Sequence, residues 1–438
     1  MTRAALLVAA LAAAGCARPA APPRRPDVVL VVIDTLRPDH VGAYGHEGRT
    51  TPTLDAFAAQ ATRFENAIAQ APHTIPSMLQ LMTSRYDQGL EIAPSDPTLA
   101  ELLQRAGYDT LAVVENPNFE QHPEAHGLRR GFRRFWRNGV IDRHSLAQQL
   151  YKTDTSADAV TAQAVRALRA RDRARPLFLW VHYFDPHDPY LPPYADDLEE
   201  LTRGAGSDLT GDVRAGDLYL KMPPPALTPA QRAHLLALYD AEVRHVDQSL
   251  GDLFAALRAE GLYEGALTVV TSDHGESLGE HDVWTHGRSA WDPEIRVPLL
   301  VRRPGQAQAA SVRGARELLD IVPTVLETAG VPSTGLRLDG RSLFAPGERP
   351  ACLFWKEWQV ARTPEWKLVQ AGEVVQLFRV DQDPGETRDL LPERRDVAET
   401  LLRARDERLR AVGATAAELD ERSRAAWERL RALGYLAR

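Results

Sequence analysis

Residues 27–34 read DVVLVVID, six consecutive apolar residues, five of them β-branched, between two aspartates. Successive side chains of a strand point to opposite faces, so a run with no polar position must be covered on both sides. The pattern recurs in DTLAVVEN (109–116), PLFLWVHYFD (176–185), ALTVVTSDHG (266–275) and VPLLVRRP (297–304). Between these runs lie segments of helical period: 53–64, 98–107, 156–172 and 229–261. Gly107 and Gly261 supply C-terminal stops. Strands alternating with helices predict an α/β fold with a sheet covered on both faces.

The texture changes after residue 345. ACLFWKEWQVART (351–363), WKLVQAG (366–372) and EVVQLFRV (373–380) are short, alternating and bounded by turn residues, which predicts a small antiparallel sheet. A charged helical tail, 395–413, follows, and SRAAWERLRALGYLAR (423–438) closes the chain. The expected division is a catalytic α/β domain over 27–345 and a C-terminal subdomain with a helical tail over 346–438.

The first sixteen residues, MTRAALLVAALAAAGC, have one arginine and then an apolar stretch too short to span a bilayer. This reads as a signal peptide. Its AAAGC ending is similar to a bacterial lipoprotein signal, although Ala13 stands where leucine is common. Lipidation of Cys16 would tether the protein to a membrane, and the Pro-rich stretch 17–26 would serve as an extended tether. The expected location is the cell envelope. With Cys16 assigned to the anchor, Cys352 is the one remaining cysteine, which excludes a disulfide framework. A formal charge of −8 argues against a nucleic-acid partner, because phosphate contacts need a basic face.

Three of the apolar runs end in polar clusters: Asp34; His182, Asp185 and His187; and Asp273 with His274. In a sheet of this kind, sites form at the carboxyl ends of the strands. Two aspartates and a histidine suit a divalent cation. Thr74, in HTIPSMLQLM (73–82), stands beside Pro76 at the start of a helical run. Threonine there is either a helix cap or a hydroxyl placed where free N–H groups and the helix dipole favour an anion.

The motifs VVIDTLRPDHVGAYG (31–45), TTPTLDAFAAQATRFENAIAQAP (50–72), TIPSMLQLMTSRY (74–86), WVHYFDPHDPY (180–190) and TSDHGESLGEHDVWTHG (271–287) occur in that order. DIVPTVLETAGVP (320–332) and QLFRVDQDPGETRDL (376–390) follow. Together they resemble the sulfatase family of the alkaline phosphatase superfamily, over about residues 27–400. The resemblance implies a large mixed sheet flanked by helices with a smaller C-terminal antiparallel sheet. It also implies a hydrolase of sulfuric or phosphoric esters that uses one divalent metal ion, with calcium, manganese and zinc not distinguished.

Carried over by position, Asp34, Asp273 and His274 hold the metal, and Thr74 joins them as ligand and nucleophile. His187 or His286 protonates the leaving oxygen. The chain departs from the family at several of these positions. Thr35 replaces a second metal-binding aspartate, and Thr74 replaces the Cys or Ser that is oxidised to formylglycine. Met78 replaces an arginine, while Glu115 and His286 replace lysines that hold the anion. The expected substrate is a small-molecule, glycan or lipid-headgroup ester, bound under the loops 117–155 and 191–228. Two other readings of the same residues are a phospho-headgroup transferase and a non-catalytic sulfatase-like binding protein.

Overall fold

A computed structural model of the chain describes residues 24–86, 90–116, 119, 126–137, 157–188, 190, 227–413 and 428. The signal segment with Cys16, most of the proline-rich stretch, most of the loop 117–155, nearly all of 191–228 and the closing segment 423–438 except residue 428 lie outside the described residues.

Nine strands form the main sheet. They are β1 (Val28–Ile33), β2 (Thr62–Ile68), β3 (Asp109–Val114), β4 (Arg134–Arg137), β5 (Leu177–Tyr183), β6 (Leu267–Thr271), and, after a two-stranded hairpin β7 (Ser277–Leu278) and β8 (Trp284–Thr285), β9 (Arg296–Arg302), β10 (Ala310–Val312) and β11 (Arg316–Glu317). Their order is β10-β2-β9-β6-β1-β5-β3-β4, with β11 also paired to β2. The strand β9 runs antiparallel to both β2 and β6, and the other pairings are parallel. The sheet is therefore mixed, as the family resemblance implies.

Every residue of β1 is buried, and its two faces feed two cores. Val29, Val31 and Ile33 pack with residues of the helices Ala157–Arg169 and Pro229–Ala259. Val28, Leu30 and Val32 pack with residues of Thr74–Thr83, Leu99–Arg105 and Ile321–Thr328. The period-2 alternation inside an unbroken apolar run is thus resolved into two covered faces.

One boundary differs from the sequence reading. The expected helix over 53–64 ends at Ala58, and Thr62–Ile68 is a strand held between β9 and β10. Thr62, Phe64 and Ile68 have side chains that fit a pleated surface, and sheet pairing outweighs the helical period of the preceding alanines.

The C-terminal sheet is four antiparallel strands: β12 (Ala351–Trp355), β13 (Trp358–Arg362), β14 (Lys367–Ala371) and β15 (Val374–Phe378). The helix Arg395–Ala411 packs on it through Ala398, Leu401, Leu402 and Leu409. This unit braces the loop that precedes β9. Lys367 Nζ donates to Ala290 O at 2.7 Å, and Arg362 and Lys367 both pair with Asp292. Cys352 is buried in this sheet, as its apolar surroundings in the sequence suggest.

Candidate active site

The carboxyl ends of β1, β5 and β6 converge on the N-terminus of the helix Thr74–Thr83. Asp34 follows β1 directly, and its N–H donates to Tyr183 O on β5. The next residue, Thr35, turns the chain with φ of 55°. That turn is held from β6, since Leu36 N–H donates to Ser272 Oγ at 3.0 Å and Thr35 N–H donates to Asp273 Oδ1 at 3.4 Å. The helix is fastened to the same strand end by Ser77 Oγ–H, which donates to Asp273 O.

His73 takes the N-cap position with extended backbone, and Thr74 is the first helical residue. The capping alternative therefore does not describe Thr74. Its hydroxyl is fully buried and lies 3.2 Å from His274 Nε2. His274 Nδ1–H donates to Gly275 O at 2.9 Å, which leaves Nε2 as the unprotonated nitrogen. Burial holds this imidazole well below its ordinary pKa, so it is a neutral donor. That Nε2 atom lies 3.5 Å from Asp273 Oδ2 and 3.7 Å from Asp34 Oδ1.

His182, at the end of β5, faces the same point, with Nε2 3.4 Å from Asp34 Oδ2. Asn116, just past β3, donates through Nδ2 to that oxygen at 2.5 Å. The sequence reading placed His182 in a strand-end cluster without naming it as a ligand and did not select Asn116. Asn116 sits two residues beyond a buried strand, in a segment with no motif of its own, and only the sheet order brings it beside Asp34.

Asp34 and Asp273 are buried completely and close to each other. Burial above all pushes both carboxyl groups up to about 7, and the charge of Asp34 adds to the rise at Asp273. Asp34 Oδ1, Asp273 Oδ2 and Thr35 Oγ1 are buried with no hydrogen-bond partner. Donor atoms of Asp34, His182 and Asp273 lie within 4.8 Å of one another. Two carboxylates with unused lone pairs, flanked by two neutral imidazoles, are a donor set that fits a divalent cation. The missing second aspartate is replaced by the orphaned hydroxyl of Thr35.

The second cluster is made of imidazoles. His286 lies between His274, with ring centroids 4.4 Å apart, and His187, at 4.9 Å. His73 is 5.9 Å from it. Burial opposes the cationic form of His286, but Glu276 Oε1 at 2.9 Å from Nδ1, helped by Asp34, outweighs it and raises the imidazole to about 9. His73 and His182 are driven by burial to about 4. The protonated His286 thus stands beside the neutral imidazoles of His73 and His274.

Asp185 accepts from Ala157 N–H at the start of the helix Ala157–Arg169. Arg37 pairs with Asp39 and Glu280 and donates to Glu276 O, bracing the loop that carries Glu276. His281 stacks on Trp291 at 4.0 Å. Met78 is fully buried in the core between the sheet and its helices. Glu115 is buried just beyond β3, with its N–H donating to His182 O.

A sheet ending in two buried aspartates, faced by a hydroxyl at a helix start, defines an ester hydrolase of the alkaline phosphatase superfamily. The sulfatase family model matches residues 26–331, most of the chain, and the protein belongs to the sulfatase family. The uncharacterized sulfatase YidJ of Escherichia coli is 28% identical over 361 residues, covering 74% of this chain and 72% of that one. The choline-sulfatase of Rhizobium meliloti is 25% identical over 427 residues, covering 84% and 82%. The crystal structure of the phosphonate monoester hydrolase of Agrobacterium radiobacter shares the fold, with a TM-score of 0.70 at 22% identity, covering 88% and 96%.

Proposed function

We propose that this sulfatase-family protein is a metal-dependent hydrolase of sulfuric or phosphoric esters in which unmodified Thr74 is the nucleophile. The observation that carries the reading is the position of its Oγ1. It is buried at the positive end of a helix, beside His274 Nε2 and the paired carboxylates of Asp34 and Asp273. No cysteine stands in this segment to supply a formylglycine.

Asp34, Asp273, His274 and Thr74 would hold the metal, with His182 beside them. When bound, the ion supplies charge for the non-bridging oxygens of the ester and lowers the pKa of the Thr74 hydroxyl. With its pKa so lowered, the Thr74 hydroxyl, which lies 3.2 Å from His274 Nε2, would lose its proton to solvent. Oγ1 then bonds to the phosphorus or sulfur. The bond to the leaving oxygen breaks with its electron pair, and that oxygen takes the proton of His286, which His187 packs against. A water molecule then attacks the covalent intermediate, gives its proton to His286, and releases Thr74, which regains a proton from solvent.

Threonine lacks the geminal hydroxyl of hydrated formylglycine, so its ester must be resolved by attack at the central atom. That requirement favours phosphorus esters, and the shared fold with a phosphonate monoester hydrolase agrees with it. Activity on aryl sulfate, phosphate monoester and phosphodiester panels with added divalent metals is the test. Thr74→Ala is expected to lose at least ~10³-fold in kcat. A Thr74→Ala protein as active as wild type would sink the proposal. The AAAGC ending of the leader supports export and tethering through Cys16, with the substrate reached in the cell envelope.

A further inference from the structure

A second group of metal-competent side chains lies outside this site. His40 ends the short turn Pro38–His40, His46 lies in the following loop, and Asp240 projects from the long helix Pro229–Ala259. One donor atom from each lies within 4.8 Å of the others. His40 Nδ1 is 2.6 Å from Asp240 Oδ1, and His46 Nε2 is 3.8 Å from Asp240 Oδ2. The two imidazole rings stack with centroids 5.3 Å apart.

His46 Nε2 is buried and has no hydrogen-bond partner. Its place is conditioned by the loop itself, because a Cβ at Gly48 would lie 2.4 Å from that nitrogen. A hydrogen bond from His40 to Asp240 accounts for those two residues and leaves the His46 nitrogen with nothing. A cation between the three would use all of them.

Two imidazole nitrogens and one carboxylate form a borderline donor set, which suits a zinc-class ion better than the hard, oxygen-preferring calcium or magnesium. Zinc bonds of about 2.0–2.1 Å place tetrahedral ligand atoms roughly 3.4 Å apart, and the observed separations of 2.6 and 3.8 Å straddle that value. Half-buried His46 and Asp240 leave an edge open for a water as fourth ligand.

We propose that His40, His46 and Asp240 bind a zinc-class divalent ion, distinct from the catalytic metal, that clamps the loop after β1 onto the long helix. The clamp lies next to the catalytic strand. Tyr239, the neighbour of Asp240, donates its O–H to Thr35 O at 2.8 Å and accepts from Arg37 N–H at 3.0 Å. The same Tyr239 ring packs edge-on against His40. The ion therefore acts as a positioning element for the turn that carries Asp34 and Thr35, and makes no contact with the ester.

The test is zinc titration of metal-stripped protein carrying Asp34→Asn and Asp273→Asn, which disables the catalytic cluster. One equivalent of zinc is expected to remain bound, with a rise in melting temperature, and cobalt in its place is expected to give the visible absorption of a tetrahedral nitrogen–oxygen site. Adding His46→Ala should weaken zinc binding at least ~100-fold, and the cost of losing the ring stacked on His40 is read separately from the zinc-free melting temperature. Asp240→Asn provides a second variant should the histidine change disturb the loop. Failure of the double variant to bind zinc, or unchanged binding after His46→Ala and Asp240→Asn, overturns the proposal.

Discussion

His286 Nδ1 lies 2.9 Å from Glu276 Oε1, and this pairing keeps the His286 imidazole charged near neutral pH. In the family pattern the His286 position is often a lysine, so the change from lysine to histidine keeps a cation there only because Glu276 is beside it. The Glu276 side chain is fully buried, which strengthens the interaction.

A pH prediction follows from the sign of that shift. His286 must carry a proton to donate it, so the basic limb of the kcat profile should fall near pH 9. Glu276→Gln removes the raising charge, and the limb should move down toward or below the ordinary histidine range. His286→Lys should keep more activity than His286→Gln. A basic limb unmoved by Glu276→Gln would remove His286 from the role of acid.

Metal removal should be felt through Asp34 and Asp273. Both carboxyl groups have folded-state values raised to about 7, above their ordinary range near 4. A raised group gives stability that is complete below its unfolded value and is lost as pH rises through its folded value. The metal-free protein should therefore lose stability between about pH 4 and 7 from these two groups. A bound dication removes that loss by holding both as carboxylates. The gap in melting temperature between metal-loaded and chelated protein should be larger at pH 8 than at pH 5, and Asp34→Asn with Asp273→Asn should narrow it to the part that an ion at His40, His46 and Asp240 supplies. An equal gap at both pH values would contradict this account.

Met78 tests how far this chain has left the family pattern. An arginine at this place would have to be buried in an apolar core with Leu79, Leu81 and Met82 around it on the same helix. Met78→Arg should cost several kcal/mol and unfold much of the protein, whereas Met78→Leu should cost less than about 1.5 kcal/mol. Denaturant unfolding measures both. A stable Met78→Arg protein would show that the helix can present this position to the site.

Much of this arrangement is legible in the sequence because each strand end announces itself. Val28–Ile33, Leu177–Tyr183 and Leu267–Thr271 are largely apolar runs, and Asp34, His182 and Asp273 stand at the end of each or within two residues of it. Residues whose role depends on a neighbouring strand are not legible in this way. Asn116 is beside Asp34 because β3 and β1 both pair with β5, a fact of strand order and not of local pattern. Glu276 reads as a loop brace until the hairpin of β7 and β8 folds back and brings His286 to it. The strand β2 hides inside a helical period because its alternation is short and follows alanines.

Asn116 gives the last prediction. Its amide donates to Asp34 Oδ2 at 2.5 Å, and the longer contact on that oxygen is His182 Nε2 at 3.4 Å, which burial keeps neutral. That hydrogen bond lowers the Asp34 carboxyl, partly offsetting the burial that raises it. Asn116→Ala removes the donor and should raise the Asp34 pKa further, weakening metal affinity and activity by about 10–100-fold, the usual cost of losing a group that orients a ligand. Asn116→Asp adds a third buried carboxylate, so the metal-free variant should be less stable at pH 8 than at pH 6, where a shared proton relieves the repulsion. Thermal unfolding of the chelated variant at the two pH values measures this, and in metal titration equal affinity of wild type and Asn116→Ala would show that Asp34 is oriented by the fold of β1 alone.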